Sequence, residues 1–138
     1  MAEAKGKVCH YTDVPAEIVG EQAPGAAMRW LIDDTHDGAP VYALRMVEIN
    51  PGGHSPHHNH NYEHENFVVE GKGRVFMDGR WHDLKPGDVV FVPANVEHEY
   101  ANAGDTTFKF LCGIPVTRLR GQAGAAVVEQ AFRPVSQG

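Results

Sequence analysis

The sequence predicts one all-β domain, a sandwich or barrel of short strands. Three observations predict it. Short runs of β-branched and aliphatic residues recur along the chain. Clusters of Gly, Pro, Asn and Asp separate them. Helix signals are weak throughout. The 138 residues fit a single domain, and a chain of that size buries roughly 70% of its unfolded surface. Hydrophobic residues make up 42% and charged residues 22%, which excludes a disordered chain.

The elements follow in chain order. Residues 1–28 carry Pro15, Pro24 and Gly25 and read as an irregular lead-in with a short strand near Val8 to Val14. A strand lies around Arg29 to Ile32. Val41 to Ile49 is an aliphatic run stopped by Asn50-Pro51-Gly52-Gly53. Asn66 to Glu70 is the next apolar run, closed by Gly71-Lys72-Gly73. Arg74 to Met77 and Arg80 to Leu84 form a hairpin about Asp78-Gly79. Pro86-Gly87 turns the chain into Val89 to Val92, and Pro93-Ala94-Asn95 turns it again. Glu97 to Ala101 and Thr106 to Ile114 are the last strands. In the final one Phe108, Phe110 and Cys112 share a face, opposite Thr107, Lys109 and Leu111. The barrel core therefore spans 29–115, with an extension at 116–138. In that extension Gly124 to Phe132 reads as a short helix or a terminal strand. The glycines at 52, 71, 73 and 87 read as turn residues.

Twelve Lys+Arg stand against 18 Asp+Glu, a net charge of −6 with no basic run, which disfavours a nucleic-acid surface. No apolar stretch approaches the ~20 residues of a membrane helix, and Met1 to Val8 lacks a signal-peptide core. Cys9 and Cys112 give neither a disulfide framework nor a C-x-x-C pair. A cytoplasmic protein is expected.

Nine histidines are present, and His54, His57, His58, His60 and His64 fall in one short segment. On a strand, His58 and His60 would point to one side. His98 lies downstream of the Pro93-Ala94-Asn95 turn. Imidazole is the commonest ligand for mid-to-late first-row ions, so three or four of these rings converging inside a barrel would hold one divalent metal per chain. Fe, Mn, Ni, Cu, Co and Zn all accept such donors. His54 and His57 read as loop residues, and His10, His36 and His82 as surface ones.

The spacing resembles that of the cupin superfamily. Gly52, His58, His60 and Gly71 resemble its first motif, G-x5-H-x-H-x3,4-E-x6-G. Gly87, Pro93, His98 and Asn102 resemble its second, G-x5-P-x-G-x2-H-x3-N, with Asn95 where the family has glycine. Asparagine also tolerates a left-handed turn. Glu65 keeps the upstream spacer of the family glutamate, but only His64 leaves six residues before Gly71. The resemblance thus implies a single-domain cupin β-barrel (jelly roll) with ligands His58, His60, His64 and His98. Glu63 and Glu65 stand as substitutes or as partners of the ligands.

Four neutral imidazoles would leave the ion's full dipositive charge and favour an anionic ligand: a carboxylate, an enolate or a β-dicarbonyl anion. Around such a centre, Tyr100 and Asn102 share the parity of His98, and each either faces the cavity or serves packing and turn capping. Phe108, Phe110 and Cys112 either line a pocket or simply fill the core. Arg45 interrupts an apolar strand. It either binds a substrate carboxylate, projects to solvent or pairs with Glu48. The expected function is a metal-dependent cupin acting on a small anionic or enolisable molecule, with a dioxygenase as one version. The alternative is a binding or sensing module without turnover. The missing glutamate ligand disfavours an oxalate decarboxylase. A homodimer is expected, paired through 29–32 and Ala125 to Phe132.

Overall fold

A computed structural model of the chain describes residues 3–122. Nine strands follow in order: β1 (Glu17–Ile18), β2 (Ala26–Ile32), β3 (Tyr42–Ile49), β4 (His64–Glu70), β5 (Gly73–Met77), β6 (Arg80–Leu84), β7 (Val89–Val92), β8 (Glu99–Asn102) and β9 (Phe108–Pro115). They form two antiparallel sheets, ordered β1-β2-β3-β9-β4-β7 and β6-β5-β8. This is the expected all-β architecture, although the two ladders are not joined into one closed barrel. The stretch Gly124 to Phe132 lies outside the described residues, and with it half of the expected dimer contact.

The inward faces are set by alternation. On β3 and β9 the pairs Arg45↔Cys112, Val47↔Phe110 and Ile49↔Phe108 lie in register. On β4 the side chains of His64, Asn66 and Val68 are buried, while Glu65, Phe67 and Val69 are exposed. Val75, Leu84 and Tyr100 from the small sheet meet Val47, Val68, Phe108 and Phe110 from the large one in a single core. Each large apolar side chain buried there contributes about 1.5–3 kcal/mol.

β4 begins two residues earlier than expected. The apolar run starts at Asn66, but His64 and Glu65 before it pair with Val92 and Phe91 of β7. That pairing puts His64 in the inward set. The strand expected near Val8 to Val14 is absent. The chain there makes one 3₁₀ turn at Tyr11–Asp13, capped by the His10 ring, and Val8 is fully exposed. With nothing to bury against, its alternation carries no fold information.

A one-turn helix, α1 (Asp34–Asp37), went unforeseen. Asp33 caps it through the His36 amide, and Gly38 ends it at φ 70°. The hairpin at Asp78-Gly79 has positive φ at both residues (56° and 80°), as a two-residue type I′ loop requires.

Gly73 is not a turn residue. It sits in β5 opposite Leu84 and Asn102. A Cβ there would lie 2.3 Å from the Phe108 ring, so the position is small because an aromatic ring rests on it.

Candidate metal centre

The first histidine segment is stitched to β8 by main-chain bonds. His58 N donates to His98 O at 3.1 Å and His98 N to His58 O at 2.9 Å. Ser55 N donates to Tyr100 O at 2.8 Å, and Tyr100 N to Ser55 Oγ at 2.8 Å. His54 and His58 therefore make isolated bridges to Ala101 and His98 rather than a strand, and Asn59 and His60 lie beyond them. The next turn is tied to the same segment. Asn95 adopts φ 69°, and its amide donates to His60 O at 2.5 Å. Asparagine thus does the work of the family glycine.

These ties bring four imidazoles together. The His58 ring lies 4.1 Å from His60 and 5.1 Å from His98, centroid to centroid. The His64 ring lies 5.0 Å from His60 and 4.8 Å from His98. One nitrogen each of His58, His60 and His98 falls within 4.8 Å of the others. His64 joins by ring packing rather than through that tight triad.

Three of the four rings carry a buried nitrogen without a partner. His98 Nδ1 donates to Val96 O at 2.9 Å, which leaves Nε2 buried without a partner. His64 Nδ1 lies 3.2 Å from Cys112 Sγ, and its Nε2 is likewise buried and bare. His58 Nδ1 is a third such atom. An orphaned buried ring nitrogen costs free energy of about 1–3 kcal/mol. Three of them in one cluster fit a cation that accepts their lone pairs.

Protonation agrees with that reading. Burial pushes the pKa of His58 and His98 down. It takes His60 to about 4 and His64 to about 2, with the neighbouring rings and Arg45 pushing the same way. All four stay neutral near pH 7, the state in which imidazole ligates.

The remaining candidates divide. Glu63 and Glu65 are exposed, facing away from the rings, and the Glu63 carboxyl is raised by burial and by its bond to Glu65. Asn102 caps the turn: its amide donates to Ile49 O and Thr106 O at 2.8 and 2.7 Å, and Gly104 N donates back to its oxygen at 2.7 Å. Tyr100 is buried and stacks on Phe110 at 4.5 Å, while its hydroxyl donates to Asn66 Oδ1. Burial raises its pKa strongly, so the phenol stays protonated. Phe108 and Phe110 fill the core.

Arg45 neither reaches solvent freely nor pairs with Glu48, which Arg29 holds at 2.8 Å. Its Nη2 instead lies 3.0 Å from Cys112 Sγ and 3.5 Å from His64 Nδ1. His54 and His57 stay outside the cluster, where the His57 ring bonds Glu97 and Glu99. His82 Nε2 lies 3.1 Å from Met77 O.

Four contributors went unseen in the sequence. Asn66 follows His64 at strand parity and is held between Tyr100 and Leu111 O. Tyr62 stacks on His60 at 4.7 Å with the planes 5° apart. Trp30 stands on β2 and Arg120 follows the last strand, both outside the two histidine motifs. Only the H-x-N spacing of Asn66 offered a signal.

Two facing antiparallel sheets with histidines of two separated motifs converging between them define the class: the chain belongs to the cupin family. Residues 45–114 match the model of the cupin domain. The solved polyketide cyclase RemF from Streptomyces resistomycificus is 35% identical over 80% of each chain, with a TM-score of 0.75. Protein SchB from Streptomyces halstedii is 28% identical over 106 residues, covering 76% of this chain and 74% of that protein. An oxalate-binding protein from Thermotoga maritima is 27% identical over 120 residues, 83% of this chain and 98% of that one. Among the described residues, no helix is long and apolar enough to cross a membrane.

Proposed function

We propose that this protein is a metal-dependent enzyme that closes a ring in an enolisable polycarbonyl compound. The observation that carries the reading is the convergence of buried, unpartnered imidazole nitrogens on His58, His64 and His98 beside His60, with both nearby glutamates turned away. His58, His60, His64 and His98 would hold one divalent transition ion. Once bound, the ion would supply Lewis acidity at undiminished dipositive charge. The polyketide cyclase named among the similar structures acts within that substrate class.

The chain's own residues do the rest. Val96 O and Cys112 Sγ fix the His98 and His64 rings, as ligand-orienting partners do. Arg45 places a fixed positive charge beside the rings and favours an anionic substrate there. Tyr100, locked to Asn66 and protonated, serves shape rather than proton transfer. In the reaction an α-carbon attacks a distal carbonyl carbon, the α-proton ends on the new hydroxyl, and loss of water follows. No oxidant is consumed.

The test is metal-loaded protein with a poly-β-ketone. A product lighter by one water, formed without oxygen uptake and lost in a His58→Ala/His98→Ala variant, is the expected result. Oxygen uptake coupled to turnover would make the protein a dioxygenase instead. Recovery of the compound unchanged would favour a binding module, a reading supported by the oxalate-binding relative and by the unpaired Arg45 guanidinium.

A homodimer is part of the proposal. Phe67, Val89 and Phe91 are 47%, 75% and 56% exposed on neighbouring strands β4 and β7, with β7 at the sheet edge. An apolar outer face of this kind marks a contact surface.

A further inference from the structure

We propose that Arg45 and Arg120, gathered around Trp30, form a subsite for a carboxylate carried by the substrate at one end. The inference rests on the reading of the histidine cluster as the reaction centre and names a second group that the substrate must bear.

Arg45 stands on β3, inside the barrel, and Arg120 follows the 3₁₀ turn Thr117–Leu119. Their guanidinium carbons lie 5.4 and 5.6 Å from the centroid of the Trp30 ring, and that of Arg120 lies 5.6 Å from Tyr62 as well. Tyr62 in turn stacks on His60, while Arg45 reaches His64. Arg45 therefore touches the imidazole cluster directly, and Arg120 lies one side chain from it, through Tyr62.

Neither cation has an acid. Among the described residues both are half-buried and neither forms an ion pair. Arg45 is left with two sulfurs, Met28 Sδ at 3.5 Å and Cys112 Sγ at 3.0 Å, and the His64 ring at 3.5 Å, and Arg120 with the carbonyl of Pro115 at 3.1 Å. Among the described residues, Arg45 Nε and Arg120 Nη2 are buried without an acceptor. Asp34 acts on Arg120 only from beyond ion-pair distance. Arg29, one residue from Trp30, does take a glutamate.

Unpaired, partly buried guanidiniums with free N–H groups are costly unless a ligand completes them. A planar carboxylate accepts from such forks with two oxygens. The aromatic floor of Trp30 and Tyr62 holds the cations in place by cation–π contact and excludes water. The geometry thus assigns one end of the substrate to the imidazoles and the other, anionic, end to the arginine pair.

The test compares two matched diketones on metal-loaded protein by calorimetry. Acetylacetone carries only the β-diketone, and 3,5-dioxohexanoate adds a carboxylate. The wild type is expected to prefer the acid at least tenfold. Arg120→Gln and Arg45→Gln should each collapse that preference to within about twofold, and Arg120→Lys should restore part of it. Metal content read beside every titration separates loss of the subsite from loss of the ion. No preference in the wild type, or a preference untouched in both variants, overturns the proposal. Should neither diketone bind, the ring-closing reading fails. Propionate and inorganic phosphate titrated on the same proteins then decide the subsite alone. Propionate binding that disappears in Arg120→Gln retains it. Binding equal in all variants, or of phosphate only, removes it.

Discussion

His58 and His98 face each other across a two-bond antiparallel bridge, each amide donating to the other's carbonyl at 3.1 and 2.9 Å. Two motifs forty residues apart in sequence are thereby fixed as neighbours by their main chains, whatever their side chains do.

The first prediction follows from that bridge. Replacing both rings with alanine leaves its backbone bonds intact, so His58→Ala/His98→Ala should fold. Elemental analysis should read about one ion per wild-type chain and none in the variant. Metal in the variant would break the ligand assignment.

Ion removal should also lower thermal stability. An ion a thousandfold above its Kd stabilises a fold by about 4 kcal/mol. In a domain of this size that corresponds to a melting shift on the order of 10 °C. A chelator titration followed by calorimetry measures it, and the double alanine variant should show no such shift.

Gly73 and Phe108 offer a stability test away from the centre. The Cβ of Gly73→Ala would overlap the Phe108 ring at 2.3 Å, at a cost of roughly 1–3 kcal/mol. In a Phe108→Leu background the same change should cost distinctly less, because the obstructing ring is gone. Equal costs in the two backgrounds, by denaturant melts, would rule the contact out as the cause.

A pH effect is expected at α1. The bond from His36 to Asp33 raises the histidine's pKa. With the folded value above the unfolded one of about 6.5, the added stability is fully present below pH 6.5 and is lost as pH rises through the folded value. The His36 ring is exposed, so the contribution is at most a few tenths of a kcal/mol. NMR titration should place His36 above 6.5, and Asp33→Asn should return it towards the ordinary value.

Oligomeric state tests the outer face. Light scattering should give a dimer for the wild type. Phe91→Glu, which puts a charge on the exposed edge strand, should give a monomer at the same concentration. A wild-type monomer would remove the surface from consideration.

The strands of the barrel were legible because they alternate between turns, and the three histidines at 58, 60 and 98 because each falls at a fixed spacing. What alternation could not show was polarity inside. β4 reads as starting at Asn66, where the apolar run begins, yet pairing with β7 extends it. Asn66 itself is buried because Tyr100 reaches it from the other sheet, a contact between residues 34 positions apart. The direction of Arg45 was open from parity. Arg29 decided it by occupying Glu48. Trp30 and Arg120 belong to no repeat or motif, and only folding brings them to the same ring.

All four clustered imidazoles fall within residues 45–114, the part shared across the family, while Trp30 and Arg120 lie on either side of it. On the proposed assignment the ion is held from within that stretch, while the carboxylate end of the substrate is read jointly by Arg45 inside it and by Arg120 and Trp30 outside it. Drift in the flanks can retune which compounds are accepted without touching the reactive centre. Exchanging residues 117–122 with those of a relative should move ligand preference while ion loading stays put.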